Sequence, residues 1–418
     1  MEDQKIIRLK KELKLKRFQF NSIYEFSSSL YSSFDINNII RILFSTLMGQ
    51  MAISRIFFFD TSKKLFRERG CKLNSSEIDR FRKDVKKIKG NWFYMEVKNL
   101  SADFHSLQNL LLENKVHYLV NISASSKKKT FLGLGYKFNK LQLSEEEIEF
   151  SFFISRFALI AIDNALLLHQ IIESKRIEHE IKIAKDIQLS LLPQRIPKLS
   201  NFEISVVYRP INEVGGDYYD ILKERQGMIP VLIADVEGKG LPAALLAASS
   251  QAIFHSLNEL YFFKPAKFIS KANSLIYNFT KGNRFITLFW LLVDCENRAI
   301  TYVNAGHIEP FIISGDQTIS LSAGGFLTGF VEDAEYEMAT HQLKKGDILV
   351  AYTDGVIEVN NPRNQEYGRD SLINLVKANT SLSAEELTEK ICRETENFSK
   401  GKKYNDDFTL IVLKVKSD

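Results

Sequence analysis

Four aspartates in the C-terminal half of this 418-residue chain stand where carboxylates do chemistry. Asp217 lies in Glu213-Val-Gly-Gly-Asp-Tyr-Tyr-Asp220, Asp235 in Ile233-Ala-Asp-Val-Glu-Gly-Lys-Gly240, Asp354 in Tyr352-Thr-Asp-Gly355 and Asp406 in Asn405-Asp-Asp-Phe-Thr409. Each falls at an expected strand end or turn, beside a small residue or a second carboxylate. A hard divalent cation such as Mg²⁺ or Mn²⁺ takes carboxylate and carbonyl oxygens and keeps several waters, so two such ions need carboxylates converging from different strands. Flanking glycines let the backbone come close enough for a carbonyl to join. Two ions about 3.5 to 4 Å apart lower the pKa of a bridging water and neutralise charge on a transferring phosphoryl group, with no protein nucleophile required. One Asp-Gly or Gly-Asp pair alone is ordinary turn chemistry. The case depends on four together.

The elements that must position them are strands punctuated by glycine. Strands are expected at Ile204 to Tyr208, Val231 to Val236, Ile286 to Val293, Thr301 to Asn304, Pro310 to Ile313, Ile348 to Tyr352 and Leu410 to Val415. Helical periodicity appears at Pro242 to Tyr261, Pro265 to Phe279, Ser371 to Lys377 and Ala384 to Phe398. Strands that do not alternate regularly with helices predict an α+β domain over 194–418, an α-β-β-α sandwich of two antiparallel sheets.

Taken in order, the motifs resemble the metal-dependent PPM (PP2C-like) serine/threonine phosphatases of the SpoIIE/RsbU branch. They are Ala184-Lys-Asp-Ile-Gln-Leu-Ser-Leu-Leu-Pro193, Tyr208-Arg-Pro210, Gly215-Gly-Asp217, Asp235-Val-Glu-Gly-Lys-Gly-Leu-Pro-Ala-Ala244, Asn304-Ala-Gly-His307, Gly346-Asp-Ile-Leu349, Thr353-Asp-Gly355 and Asp406-Asp-Phe-Thr409. The resemblance implies that Asp235 bridges two Mn²⁺ or Mg²⁺ ions, that the Val236 carbonyl completes one shell, and that Asp354 and Asp406 hold the second ion. Asp217 then orients metal-bound water by hydrogen bonds. Asp406, three before Thr409, is favoured as the ligand, with Asp407 as its orienting neighbour. Eukaryotic members carry a histidine after the bridging aspartate; Val236, Glu237 and Lys239 stand here, which leaves the general acid open. Lys239, near a helix N-terminus that favours anions, either steers phosphate or is a solvated loop lysine. His307 reads as packing between strands. Gly215-Gly-Asp217 also opens the diguanylate cyclase signature, but Tyr218 and Tyr219 break it.

Upstream, residues 18–143 alternate helical and strand patterns, with strands expected at Ile53 to Phe59, Trp92 to Val97, Val116 to Asn121 and Thr130 to Leu134 and a turn at Ser125 to Lys129. The segments Ser22-Ile-Tyr-Glu-Phe-Ser-Ser-Ser-Leu-Tyr31, Phe34-Asp-Ile-Asn-Asn-Ile-Ile40 and Ile53-Ser-Arg-Ile-Phe-Phe-Phe59 resemble the GAF sensor family, which implies one sheet flanked by helices. No Asn-Lys-Phe-Asp-Glu motif of cyclic-nucleotide binders is present, and Cys71 alone marks no bilin site. Ser144 and Glu147 form a capping box that opens a helix over 144–193. In it Ile177, Ile181, Ala184, Gln188 and Leu191 follow a heptad seam, which predicts a coiled-coil homodimer; the alternative folds the helix back on its own sensor domain.

Apolar residues make up 45% and charged residues 26%, which excludes wholesale disorder. The formal charge of +5 comes mostly from residues 1–17, an amphipathic segment with seven Lys or Arg against three Asp or Glu. The near-balanced remainder argues against nucleic-acid binding. Cys71, Cys295 and Cys392 show neither disulfide nor zinc spacing, which points to the cytoplasm. The apolar stretch Phe150 to Leu168 is broken by Arg156, Asp163 and Asn164, short of the roughly 20 apolar residues of a membrane span. The expectation is a sensor-gated phosphatase acting on a phosphorylated STAS-domain anti-sigma-factor antagonist. Its rivals are a regulator that binds the phosphorylated partner without hydrolysing it, and a nucleotide cyclase.

Overall fold

The strand Ile56-Phe-Phe-Phe-Asp60 shows how the first half of the chain is layered, because successive side chains of a strand point to opposite faces. Ile56 and Phe58 pack on one side with helix α2 (Ile36–Met51) and the start of a long helix, while Phe57 and Phe59 pack on the other with α3 (Ser75–Val85) and α4 (His105–Glu113). The structure is a computed structural model that describes residues 6, 17, 20–30, 34–85, 87–88, 92–123 and 129–416. The basic segment 1–17 and the turn at 125–129 lie, apart from single positions, outside the described residues.

Residues 20–30 form helix α1. The strands β1 (Ile56–Asp60), β2 (Leu65–Arg69), β3 (Tyr94–Glu96), β4 (Tyr118–Asn121) and β5 (Thr130–Leu134) make one antiparallel sheet in the order β2-β1-β5-β4-β3. Gly133 faces Phe57 across the β1–β5 ladder, and a Cβ there would stand 2.0 Å from the phenyl ring. Strand β2 was not expected, because its Leu-Phe-Arg-Glu-Arg run is largely exposed at the sheet edge. Helices α3 and α4 were missed as well; α3 buries only Phe81 and Val85.

The capping box forms as expected: Glu147 donates its backbone N–H to Ser144 Oγ at 3.3 Å, and the Ser144 backbone N–H donates to Glu147 Oε2 at 2.8 Å. It opens α5 (Glu145–Leu191), 47 residues long. The chain divides into two compact units within this helix, one ending at Lys175 and the next beginning at Arg176. One 18-residue window of α5 has a mean hydropathy of 1.6, enough by length and composition alone to cross a bilayer. Packing explains part of its apolarity, since Ile154, Ala158, Ile162 and Ala165 join the core beneath the first sheet, while Phe153, Phe157, Ile160 and Leu167 stay exposed. Arg156 donates to the Ser123 carbonyl at 2.8 Å and Asp163 pairs with Lys63 at 2.9 Å.

The second unit is the expected α-β-β-α sandwich. One sheet runs β13 (Gly324–Gly325), β10 (Ala299–Ala305), β9 (Ile286–Asp294), β8 (Met228–Val236) and β7 (Tyr218–Ile221), with β14 (Ala339–Gln342) also on β10. The other runs β12 (Gln317–Ser320), β11 (Phe311–Ser314), β15 (Ile348–Tyr352), β16 (Phe408–Val415) and β6 (Phe202–Arg209). Two-residue alternation is plain in β8 and β9: Val231, Ile233, Phe289 and Leu291 meet Leu349, Ile411 and Leu413 between the sheets. Leu232, Ala234, Leu288 and Trp290 face α6 (Leu241–Tyr261) and α7 (Pro265–Thr280) instead. The outer face of the other sheet is covered by α9 (Arg369–Lys377) and α10 (Ala384–Ser399), which follow the four-residue α8 (Asp354–Ile357). All seven strands expected here form. One correction concerns pairing: β13 lies parallel to β10, Asn304 opposite Gly324, so that sheet is not wholly antiparallel.

Candidate active site

Strand register brings the aspartates to one place. Asp217 immediately precedes β7 and Asp235 sits near the end of β8, and the antiparallel pairing of Tyr218 with Ala234 sets them side by side. On the facing sheet Tyr352 of β15 pairs with Leu410 of β16, which places Thr353-Asp354 beside Asp406-Asp407. Hydrogen bonds then close the gap between the sheets. Asp217, only 3% exposed, accepts from Thr353 Oγ1 at 2.7 Å and from Thr409 Oγ1. Asp407 accepts from the backbone N–H of Ile211 at 2.7 Å and of Gly216 at 2.6 Å.

Two glycines permit this closeness. A Cβ at Gly355 would stand 1.9 Å from the Asp407 carbonyl oxygen, and one at Gly215 would stand 2.7 Å from both Asp407 Oδ2 and Tyr208 Oη. Asp407 is thus committed to the 211–217 loop through both oxygens. Asp406 instead turns Oδ2 to Lys239 Nζ at 2.5 Å, and Lys239 also donates to the Asn405 carbonyl at 2.6 Å. Lys239 stays more than half exposed while it makes these contacts, which leaves both sequence readings of it open.

The carboxylates are short of positive charge. Burial, then the charge of Asp235, holds the Asp217 carboxyl well above its ordinary range. Burial, then Asp354, Asp406 and Asp407, pushes Asp235 up to about 7, against the opposing pull of Lys239. Asp354 is raised by burial and by Asp406. A cleft of carboxylates that resist ionisation together has the chemistry of a divalent-cation site. Asp235, Thr287, Gly306, His307, Ile308 and Asp354 line a cavity of about 320 Å³. The Val236 carbonyl oxygen would stand 3.1 Å from a Cβ placed on Gly216, so it lies close against the 215–217 backbone. Among the described residues no three His, Cys, Asp or Glu side chains close around one point.

His307 is buried and both ring nitrogens are engaged, Nδ1 with Thr287 Oγ1 at 2.9 Å and Nε2 with the Tyr352 carbonyl at 3.1 Å. A carbonyl only accepts, so Nε2 carries the proton and Nδ1 accepts from Thr287. Burial pushes its pKa down to about 4, so the ring is neutral. It clips β9 to β15, as the packing reading anticipated. Sequence reasoning missed the roles of Thr353, Thr409 and Thr287, and that of Gln188. Gln188 was read as a seam position, yet it is buried: its Nε2 donates to the Gly215 carbonyl at 2.7 Å and its Oε1 accepts from Gly215 N–H at 3.1 Å. Two of these threonines stand inside the quoted motifs, which was the available signal.

Two stacked sheets between helices, joined by a carboxylate seam at one end, define a PP2C-like phosphatase domain. The fold matches the SiaA-PP2C domain of Pseudomonas aeruginosa with a TM-score of 0.54 at 19% identity, over 58% of this chain and 99% of that domain. The stage II sporulation protein E (SpoIIE) family is matched over residues 225–416. Over 247 residues the chain is 32% identical to phosphoserine phosphatase RsbU of Bacillus subtilis, covering 58% of this chain and 72% of RsbU. It is 28% identical over 248 residues to phosphoserine phosphatase RsbP of the same organism, covering 57% of this chain and 58% of RsbP. The chain belongs to the SpoIIE/RsbU family of PP2C-like phosphatases.

The raised pKa of Asp235 sets a sign for metal binding. A cation that takes Asp235 as a ligand must displace the proton its carboxyl holds below about pH 7, so such binding would weaken as pH falls. Calorimetry with Mn²⁺ is expected to show roughly tenfold weaker binding at pH 6 than at pH 8, with proton uptake by buffer at pH 6. Affinity independent of pH over that window would show that Asp235 is not a ligand.

Proposed function

We propose that this chain is a divalent-metal-dependent phosphoserine/phosphothreonine protein phosphatase gated by its N-terminal unit. The observation that carries the reading is that strand register sets Asp217 beside Asp235 and Asp354 beside Asp406, and that Asp235 feels the charge of Asp354 and Asp406 from the facing sheet. Two Mn²⁺ or Mg²⁺ ions, when bound, supply an activated water and offset charge on the transferring phosphoryl group. Asp235 with the Val236 carbonyl, and Asp354 with Asp406, are the groups that would hold them. Asp406 is preferred to Asp407, whose oxygens already accept backbone N–H groups. Asp217 orients water from a position fixed by two threonine hydroxyls. Lys239, paired with Asp406, is the cation that would attract the phosphate. His307, neutral with both nitrogens engaged, holds the strands and donates no proton to the leaving alcohol.

The substrate we infer is a serine-phosphorylated STAS-domain antagonist, the partner-switching role the family resemblance implies; the names of RsbU and RsbP support phosphoserine. The domain scheme is a GAF-like sensor over 18–143, a connecting helix over 144–193 and a catalytic domain over 194–418, acting in the cytoplasm as a homodimer paired through the helix. Support for gating comes from Gln188. It ties α5 to Gly215, two residues from Asp217, so a turn of the helix acts on the seam directly. The retained carboxylates count against a regulator that only binds.

Purified chain is expected to hydrolyse p-nitrophenyl phosphate only with Mn²⁺ or Mg²⁺, and Asp354→Asn to abolish this while the thermal midpoint stays within a few degrees. Full activity of Asp354→Asn at saturating Mn²⁺ would overturn the site. Lys239→Ala should raise KM for a phosphoprotein several-fold and leave the pH profile in place; a loss on the order of 10³-fold in kcat would instead make it a proton donor. For the gate, deletion of residues 1–140 should change the turnover of wild type but not that of Gln188→Ala, and sedimentation should show a dimer at micromolar concentration. A deletion response that survives Gln188→Ala would place the route elsewhere.

A further inference from the structure

Beside the carboxylates the surface of the catalytic unit turns aromatic. Glu237, two residues past Asp235, donates its backbone N–H to the Phe285 carbonyl at 3.1 Å. The Phe285 ring meets Phe330 edge-on at 6.2 Å, and Phe330 lies 5.8 Å from Phe326. Phe326 and Phe330 are 52% and 51% exposed and Val331 is 45% exposed. The loop that carries them is held firmly. Thr328 exchanges two backbone hydrogen bonds with Ile286, at 2.8 and 2.9 Å, and its hydroxyl donates to the Ile286 carbonyl at 2.8 Å. Asn273 donates to the carbonyls of Val331 and Glu332 at 2.8 and 2.9 Å and accepts from Gly329 N–H at 2.8 Å. Leu327 packs on Gly306, which lines the cavity with Asp235 and Asp354.

Half-exposed phenyl rings on a fixed loop bury little area in their own fold, and aromatic residues at such positions are what protein interfaces use as anchors. Charge on the same rim is mixed: Arg284 adjoins Gly238 and Lys239 follows it, paired with Asp406, while Glu237, Glu332 and Asp333 stand on the same two segments, so the aromatic side chains and not net charge mark the surface. We propose that Phe326, Phe330 and Val331 dock the folded phosphoprotein substrate, gripping an apolar patch beside its phosphoserine while the phosphate enters the cavity between Lys239 and the carboxylates. This rests on the phosphatase reading above. The argument for that occupant is continuity. Phe285 is bonded to the loop that follows Asp235, so a protein that delivers a side-chain phosphate to the cavity covers this rim, whereas a small aryl phosphate reaches the cavity without touching it.

The test compares two substrates on the full chain: p-nitrophenyl phosphate and a serine-phosphorylated STAS-domain protein. Phe326→Ala with Phe330→Ala should raise KM for the phosphoprotein at least about tenfold, with kcat within about twofold, and leave aryl phosphate turnover unchanged. The same pair of changes placed on Asp354→Asn should weaken binding of the phosphoprotein by a similar factor in fluorescence anisotropy. Phe326→Ser, whose ring contacts only Phe330 among the aromatic pairs described, serves where the double variant melts early. An unchanged KM, or equal losses on both substrates, overturns the docking surface. A wild type that cleaves the aryl phosphate but neither binds nor cleaves the STAS phosphoprotein overturns the choice of substrate and this surface with it. A wild type inert toward both, with Mn²⁺ present, overturns the phosphatase reading itself.

Discussion

Like charges crowded into a cleft repel, and the rest of this fold is arranged around holding them there. Moving the Asp235 carboxyl from its ordinary 3.8 to about 7 corresponds to about 4 kcal/mol working against its ionised form. Burial accounts for the largest part of that cost and repulsion from Asp354, Asp406 and Asp407 for the rest, and the repulsive part acts to part the two sheets at this end. The crossing between them is made by neutral donors: two threonine hydroxyls on Asp217 and backbone N–H groups on Asp407. Donors of this kind fix an oxygen in place without bringing a compensating positive charge, so the geometry of the cleft is set while its need for cations remains. The apolar contacts between the sheets and under the helices supply the opposing stabilisation.

The aspartates were picked out in the sequence because four carboxylates at strand ends or turns lie in an ordered set of motifs, where any one beside glycine would pass for a turn. The groups that hold them were not. Thr353 and Thr409 reach Asp217 across 136 and 192 positions of chain, and no local pattern announces such a partner. Strand length divides the fold in the same way. Long apolar strands such as β8, β9 and β16 were read from their runs of branched residues. Strand β7 was hidden in a Tyr-Tyr-Asp turn-like segment, and β12 to β14 are two to four residues long with exposed or half-exposed positions, so pairing and not composition makes them strands.

The helix α5 shows how one periodicity serves two uses. A heptad seam and a face that docks on a domain both place residues at steps of three and four, and the sequence alone does not separate them. The structure assigns Gln188 to the second use, because an amide that exchanges two hydrogen bonds with a single residue's backbone is satisfied there. Lys185, one turn earlier, pairs with Glu213 at 2.9 Å and aligns the same face. Ile183 and Ile187 remain exposed on other faces of the helix, and Ile177, on the Gln188 face but three turns earlier, is exposed as well. Two hydrogen bonds to one backbone and a half-exposed ion pair thus fix the end of the helix that faces the 213–215 loop.

His307 occupies the point where a reader of the sequence would look first for a proton donor, and the structure explains why it is not one. A general acid must carry an available proton near neutral pH and aim it at the leaving oxygen. Here the single proton is spent on the Tyr352 carbonyl, the other nitrogen accepts from Thr287, and burial disfavours a second proton down to about pH 4. Those same bonds join the strand that pairs with β8 to the strand that ends one residue before Thr353. The imidazole therefore acts as a fixed strut between the halves of the seam. Protonating it would replace an acceptor facing Thr287 with a second donor and add charge to a buried site. Keeping it neutral is the condition under which Asp235 and Asp354 stay in register across the cavity they share.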